Sequence, residues 1–195
     1  MATNERETGR TGTDSKSGSI ALIVGPSGSG KDALLAGARK QLADDPRFYF
    51  PKRVVSRTAH ASEDFVSMTV DEFNAAKAAG AFSVTWSAHD LSYGITKELD
   101  TQAEAGRTCV FNTSRRVVDR VKRRFGSVTT ILITAPPEVR ADRLAKRGRE
   151  STDAIRLRLE RAGDDVQGDV AINNVGSVEA GVSQLIAALL AASSR

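Results

Sequence analysis

The sequence predicts an α/β fold in which a mostly parallel sheet is flanked by helices. Short apolar runs such as 19–25 alternate along the chain with segments that repeat apolar residues at helical spacing. Strands that are buried on both faces of a parallel sheet have this continuous apolar character. Ligands of such sheets bind at the carboxyl ends of the strands. We therefore expect the functional site at that edge.

Six segments are predicted to be strands. The run 19–25 (SIALIVG) is continuously apolar after its first residue, whereas 82–88 (FSVTWSA) alternates between apolar and polar residues. Both patterns are typical of strands, the first buried on two faces and the second on one. In chain order the predicted strands are 19–25, 49–56, 82–88, 107–112, 128–135 and 168–174.

Helices are predicted in the intervening segments from the helical spacing of their apolar residues. The segment 69–80 has the clearest ends, because Thr69 is a candidate N-cap, Glu72 would complete a capping box and Gly80 would end the helix. The predicted helices are 31–43, 69–80, 96–106, 114–126, a segment running from the prolines at 136 and 137 to about residue 146, and 177–192. The section from about 50 to 100 breaks the alternation and is interpreted as an inserted subdomain over the site.

Composition limits the classes of function. The 195 residues suit one domain. A formal charge of +4, from 28 basic and 24 acidic side chains, favours an anionic ligand without requiring nucleic acid. The single cysteine, Cys109, excludes an internal disulfide and fits a reducing compartment. No apolar run approaches the roughly 20 residues that span a bilayer, and 1–18 is expected to be a disordered polar tail.

These properties predict a cytoplasmic protein with no membrane-spanning segment. A monomer or a homodimer is expected. The segment 114–126 carries four arginines on one face, Arg116, Arg120, Arg123 and Arg124. We interpret them as a solvated helix surface rather than a nucleic-acid site, because no aromatic stacking platform accompanies them. The expected partner is a small molecule.

A phosphate-binding loop is predicted at 25–31. The segment GPSGSGK follows a buried strand and opens a helix, which is the context that gives this pattern its meaning. Its glycines let the backbone wrap closely around phosphates, and the helix adds the positive end of its dipole. The loop predicts a site for ATP or GTP. The residues expected to bind the nucleotide are Gly25, Pro26, Ser27, Gly28, Ser29, Gly30, Lys31, Asp32 and Ala33, with Lys31 catalytic through the β- and γ-phosphates.

Asp32 departs from the usual pattern, in which a serine or threonine hydroxyl binds Mg²⁺. A carboxylate can also bind Mg²⁺, directly or through its waters. The first turn of a helix stabilises negative charge, but a carboxylate next to nucleotide phosphates is repelled unless a metal lies between them. We therefore predict that Asp32 faces Mg²⁺ or a water bound to it.

Five segments together resemble the guanylate-kinase-like phosphotransferases. They are GPSGSGKDALL (25–35), SRTAHASEDF (56–65), WSAHDLSYGI (86–95), VFNTSRR (110–116) and RLAKRGRESTDAIRLRL (143–159). Within that group the chain is most similar to the ribose 1,5-bisphosphate phosphokinases of phosphonate metabolism, which characteristically carry GKD in the phosphate loop. The resemblance implies one P-loop NTPase domain over 19–195, with an acceptor-binding insertion at about 50–100 and a mobile lid at about 146–163.

The resemblance also implies a reaction. ATP, with Mg²⁺, would phosphorylate the 1-phosphate of ribose 1,5-bisphosphate to give 5-phosphoribosyl 1-diphosphate. An acceptor that is already ionised needs no general base, and no obvious base stands out in the sequence. Alignment to the guanylate kinase pattern places Arg147 and Arg158 as catalytic lid residues.

The acceptor grip of guanylate kinases is half missing. Of their paired arginines in TRxPR, the stretch SRTAH keeps only Arg57, and SEDF lacks the tyrosine of DYxF. Loss of charged contacts to a nucleotide argues against guanosine monophosphate. Under the resemblance, the residues expected to bind the ribose substrate are Arg57, Tyr93, Asn112, Ser114 and Arg115.

Two alternatives stay open at this stage. One is a guanylate kinase or a related nucleoside monophosphate kinase, which intact paired arginines and tyrosines would have favoured. The other is a non-catalytic guanylate-kinase-like binding module. Such modules tend to lose the phosphate loop and the lid, whereas Lys31, Arg147 and Arg158 are all present.

Overall fold

Nine strands and six helices make up the part of the chain that the computed structural model describes, residues 18–58, 65–88, 90–146 and 167–194. The strands are β1 (Ile20–Val24), β2 (Phe48–Tyr49), β3 (Arg53–Val55), β4 (Phe65–Ser67), β5 (Phe82–Ala88), β6 (Leu91–Thr96), β7 (Thr108–Asn112), β8 (Val128–Thr134) and β9 (Val170–Asn173). The helices are α1 (Lys31–Gln41), α2 (Val70–Ala78), α3 (Glu98–Glu104), α4 (Val118–Arg124), α5 (Pro137–Lys146) and α6 (Val178–Ser193). Over these residues, no helix combines the length and the apolarity that a membrane crossing requires.

The main sheet is parallel, as predicted. Its five strands lie in the order β2-β7-β1-β8-β9, and every neighbouring pair in it runs parallel. The central strand β1 is completely buried. Its carboxyl end leads into the predicted phosphate loop, so the fold delivers that loop to the edge where ligands of parallel sheets bind.

Alternate residues of β1 enter two different hydrophobic cores. Ala21 and Ile23 pack with α1 and α6, where Leu34 and Leu185 are fully buried. Residues of β1 that point the other way, such as Leu22, pack with apolar side chains of α3 and α4. Helices therefore cover both faces, and each fully buried leucine contributes about 1.5–3 kcal/mol to the free energy of unfolding. The predicted fold class is confirmed.

A second sheet occupies the section that breaks the alternation. Its strands lie in the order β4-β3-β6-β5, with β6 antiparallel to both β3 and β5. The single strand predicted at 49–56 is wrong, because it divides at Pro51 into β2 of the main sheet and β3 of the second. Proline has no N–H to donate to a strand ladder. Strands β4 and β6 were not predicted, since β4 has only three residues and β6 contains Gly94.

Two predicted features of the helices have different outcomes. The capping box of α2 is confirmed, with Thr69 and Glu72 exchanging backbone and side-chain hydrogen bonds. The solvated arginine face of 114–126 is partly wrong. Arg120 donates to the carbonyl of Thr85, and Arg124 donates to the carbonyl of Ser83 at 3.0 Å. These two arginines therefore bind the backbone of the edge strand β5 and attach the second sheet to the helix that follows β7.

The cysteine gives a direct test of this fold. Cys109 lies in β7 with 0% exposure, and burial raises the pKa of its thiol to about 12. Thiolate is the reactive form, so the native protein should not react with Ellman's reagent over minutes at pH 8. The same protein in guanidinium chloride should release one equivalent per chain, since Cys109 is the single cysteine. Stoichiometric reaction of the native protein would contradict the burial of β7.

Candidate active site

The loop between β1 and α1 has the backbone of a phosphate cradle. Gly25 and Gly30 have φ angles of 147° and 91°, which L-residues with a side chain rarely adopt. A Cβ atom would also lie 2.0 Å from the Ile133 carbonyl oxygen at Gly25, and 2.3 Å from Asn174 Nδ2 at Gly30. Both positions thus require glycine for two independent reasons, and helix α1 begins directly after the loop.

Side chains from α5 and from the residue after β9 donate hydrogen bonds to the loop carbonyls. Asn174 Nδ2 donates to the Ser29 carbonyl at 2.8 Å, and Arg140 Nε donates to the Ser27 carbonyl at 3.0 Å. Arg143 Nη1 lies 3.4 Å from the same Ser29 oxygen. Because donors bind these oxygens, the negative ends of the peptide dipoles are satisfied within the protein. The loop is thereby fixed before any ligand binds.

These contacts extend beyond what the sequence indicated. Neither Asn174 nor Arg143 is among the residues that the sequence assigns to the phosphate loop. The structure places the Asn174 side chain, 5% exposed, against the loop. Partners separated by 145 residues leave no signal in sequence spacing.

Lys31 occupies the first position of α1, with its side chain half-buried. Its Nζ donates to the Pro26 carbonyl at 2.9 Å. This hydrogen bond turns the ammonium group back over the loop. A cation in that position is suited to phosphate oxygens bound by the loop.

Asp32 lies where three elements meet. Asn112 Nδ2, at the carboxyl end of β7, donates to Asp32 Oδ1 at 2.6 Å. Arg53 Nη2, at the start of β3 in the second sheet, lies 3.6 Å from the same oxygen. The Asp32 side chain is nevertheless 59% exposed. Arg53 was missed from the sequence, where it is one basic residue among several in PKRVVSR.

The residues present fit Mg²⁺ that arrives with a nucleotide. In the described part of the chain, no three His, Cys, Asp or Glu side chains form a cluster that could hold a metal ion. Mg²⁺ ordinarily binds one or two carboxylates together with substrate phosphates and waters. Asp32, an exposed carboxylate beside the phosphate loop, matches that requirement.

The predicted acceptor residues lie on two elements. Tyr93 of β6 pairs with Val55 of β3, and its ring stacks on Trp86 with centroids 5.3 Å apart. Arg57 follows β3, with its guanidinium 5.0 Å from the centroid of the Phe65 ring. The second sheet therefore places Tyr93 on β6 and Arg57 just beyond the end of the neighbouring strand β3, with both side chains partly exposed.

The remaining predicted residues follow β7 or lie outside the described residues. Asn112 ends β7, and Ser114 and Arg115 begin a single 3₁₀ turn over Arg115–Val117. Both of these residues are half-exposed, whereas Asn112 is buried. The lid arginines Arg147 and Arg158 lie outside the described residues, as do most of the predicted lid and the tail.

Solved structures share this architecture. The chain superposes on guanylate kinase from Anaplasma phagocytophilum with a TM-score of 0.68, over 92% of this chain and 88% of that one, at 17% identity. Together, the fold and the phosphate loop define a P-loop α/β protein with guanylate-kinase-like architecture. No protein-family model matches the chain.

Sequence relatives narrow the class. The chain is 46% identical to ribose 1,5-bisphosphate phosphokinase PhnN of Rhodopseudomonas palustris over 161 residues, covering 82% of this chain and 81% of that protein. It is 43% identical to the PhnN of Bradyrhizobium diazoefficiens, over 87% of this chain and 86% of that protein. The chain belongs to the ribose 1,5-bisphosphate phosphokinase (PhnN) family.

Two neighbouring asparagines test how the loop is held. Asn174→Ala removes the shorter of the two hydrogen bonds to the Ser29 carbonyl and leaves only the 3.4 Å contact from Arg143, which costs about 0.5–1.5 kcal/mol of folding free energy. We expect a lower melting temperature and weaker binding of an ATP analogue in calorimetry. Asn173→Ala is the matched control, because Asn173 is exposed at the end of β9. Equal effects of the two substitutions would contradict the role of Asn174.

Proposed function

We propose that the protein transfers the γ-phosphoryl group of ATP to the 1-phosphate of ribose 1,5-bisphosphate. The products are 5-phosphoribosyl 1-diphosphate and ADP. The observation that carries this proposal is a phosphate loop fixed at the edge of the parallel sheet, in a chain whose relatives are named for this reaction. The two alternatives from the sequence, a nucleoside monophosphate kinase and a non-catalytic module, have no comparable support.

The chemistry is a transfer between two phosphates. An oxygen of the acceptor 1-phosphate forms a bond to the γ-phosphorus, and the bond from that phosphorus to the β–γ bridging oxygen breaks. The electron pair leaves with ADP. The acceptor oxygen is already ionised near neutral pH, so the protein contributes positioning and charge neutralisation rather than a base.

Residues of the phosphate loop and its helix perform the donor side of this reaction. The segment 25–33 binds the triphosphate, with Lys31 aimed at the β- and γ-phosphates. Mg²⁺, when bound with ATP, would neutralise charge on the phosphates. Asp32 is the residue proposed to hold that ion, directly or through a water. The segment 146–163 would close as a lid, with Arg147 and Arg158 reaching the phosphates and excluding water.

The second sheet is proposed as the acceptor-binding insertion, at about 50–100. Arg57 offers a planar fork for a phosphate, and the Tyr93 hydroxyl can donate to one. Both side chains are held by ring contacts, Arg57 by Phe65 and Tyr93 by Trp86, and this preorganises them. The acceptor would reach Asn112, Ser114 and Arg115 at the end of β7, next to the loop.

The remaining properties are proposed on composition and packing. We place the enzyme in the cytoplasm as a monomer or a homodimer, and its single cysteine is buried and free. The partner is a small phosphorylated sugar rather than a nucleic acid. Two of the four arginines on the face of 114–126, Arg120 and Arg124, are engaged with β5.

An acceptor assay tests this function. With Mg²⁺ and ATP, wild-type protein should convert ribose 1,5-bisphosphate into 5-phosphoribosyl 1-diphosphate and leave GMP unchanged, as followed by chromatography. Lys31→Ala should lower kcat by at least about 100-fold, because it removes the cation at the transferring group. Lys40→Ala removes an exposed charge at the other end of α1 and serves as the control. Formation of GDP without phosphoribosyl diphosphate would overturn the proposal.

The proposed role of Arg57 predicts a selective effect on the acceptor. Arg57→Ala should raise the KM for ribose 1,5-bisphosphate by about 10- to 100-fold, the loss of one charge-assisted contact. The KM for ATP should stay within about twofold, since Arg57 lies on the second sheet. Lys77→Ala, on the exposed surface of α2, removes the same charge as a control. A rise in the KM for ATP alone would place Arg57 on the donor side.

A further inference from the structure

The contact between Asp32 and Asn112 reverses a common arrangement. In most phosphate-loop enzymes, the residue after the loop lysine carries a hydroxyl, and an aspartate on a neighbouring strand helps to hold Mg²⁺. Here the residue after Lys31 is the carboxylate, and the end of the neighbouring strand β7 carries an amide. The two side chains are joined at 2.6 Å.

We propose that Asp32 and Asn112 are an exchanged pair. Asp32 supplies the carboxylate that the neighbouring strand supplies in other phosphate-loop enzymes, and Asn112 is the positioning residue that aims it. The proposal rests on the proposed function only in assuming that the loop binds a magnesium-nucleotide complex. It assigns to Asn112 a role on the donor side through its amide nitrogen, and leaves its carbonyl oxygen for the acceptor.

The sheet fixes where Asn112 stands. Asn112 pairs with Ile23 across the parallel β1–β7 ladder, and the following Thr113 N–H donates to the Ile23 carbonyl at 3.1 Å. Both strands thus end side by side where the loop begins. Asn112 is 4% exposed, whereas Asp32 is 59% exposed at its side chain. A buried donor therefore holds one end of a carboxylate whose remainder is open to a ligand.

Electrostatics explains why a carboxylate at position 32 goes with an amide at position 112. Two carboxylates at this separation repel each other, so aspartate at both positions would be unfavourable without a metal ion between them. Serine with asparagine would leave no carboxylate at all. An amide N–H₂ donates to the carboxylate without cancelling its charge. The pair therefore carries one negative charge in either arrangement.

Arg53 supplies a positive charge that balances Asp32. Its guanidinium lies 3.6 Å from the Asp32 oxygen that Asn112 also contacts. An ion pair at this distance and exposure is weak and screened by water. A divalent cation can therefore compete for the carboxylate, while the shorter hydrogen bond from Asn112 keeps its orientation.

A four-protein cycle tests the exchange through metal affinity rather than turnover. Mn²⁺ binding would be measured by electron paramagnetic resonance in the presence of a non-hydrolysable ATP analogue, for wild type, Asp32→Ser, Asn112→Asp and the double variant. Asp32→Ser should weaken Mn²⁺ binding by at least about 10-fold. The double variant, with serine on the helix and aspartate on the strand, should recover to within about threefold of wild type, since the carboxylate count is restored.

The single Asn112→Asp variant should show the cost of two carboxylates. Its melting temperature without metal should fall below that of wild type, and added Mg²⁺ with nucleotide should raise it by more than in wild type. A double variant that binds Mn²⁺ as weakly as Asp32→Ser would overturn the exchange. An Asn112→Asp protein with an unaltered melting temperature would overturn it as well.

A milder variant covers the case in which the aspartate substitution prevents folding. Asn112→Ala removes the donor without adding charge and should weaken Mn²⁺ binding about 10-fold, as loss of an outer-shell partner does in metal sites. Asn173→Ala, at the exposed end of β9, should bind Mn²⁺ within about twofold of wild type. Unchanged binding in Asn112→Ala would refute the positioning role.

Failure of this inference can be told apart from failure of the proposed function. Mn²⁺–nucleotide binding requires no acceptor, so a protein that phosphorylates GMP would lose the proposed function and could still pass the exchange test. A protein that forms phosphoribosyl diphosphate, with Mn²⁺ binding indifferent to Asn112, would keep the function and lose the exchange.

Discussion

The hydrogen bond between Asp32 and Asn112 joins parts of the molecule that lie far apart along the chain. It connects the first turn of α1 to the end of β7, and Arg53 brings the start of the second sheet to the same carboxylate. The donor loop, the proposed metal ligand and the proposed acceptor sheet therefore meet at one charged group. A shift of any one of them would change the environment of the other two, which is why this contact constrains the whole site.

The phosphate loop beside the Asp32–Asn112 contact is held rigidly by the packed sheet and by side chains that bind its carbonyls. Strand β1 is buried on both faces, and the loop that follows it is held by Asn174 and Arg140 through its carbonyls. Phosphoryl transfer depends on positioned dipoles and charges, and these are most effective when they need no rearrangement during the reaction. The packed sheet and the fixed loop provide such a frame. It holds Lys31 half-buried over the loop and leaves the Asp32 carboxylate exposed.

Local features could be predicted from the sequence, and contacts between distant segments could not. The phosphate loop, the α2 capping box and the parallel sheet were predictable because glycine spacing, Thr69 with Glu72, and apolar runs are each encoded within a few residues. The Asp32–Asn112 contact joins residues 80 positions apart, so no local pattern in the sequence predicts it. Within the second sheet, β6 places Leu, Tyr and Ile at alternate positions, but this pattern covers only six residues and includes Gly94, which packs against Phe82. The roles of the acceptor residues and of the lid stay predictions.

A crystal structure with Mg²⁺ and a non-hydrolysable ATP analogue tests the central claim most directly. The exchanged pair predicts an Asp32 oxygen at about 2.0–2.1 Å from the metal, or hydrogen-bonded to one of its waters. It also predicts that the Asn112 amide still donates to that carboxylate, with Lys31 against the β- and γ-phosphates. A complex in which Asp32 points away from the metal and its waters, or in which Asn112 has left Asp32, would contradict it.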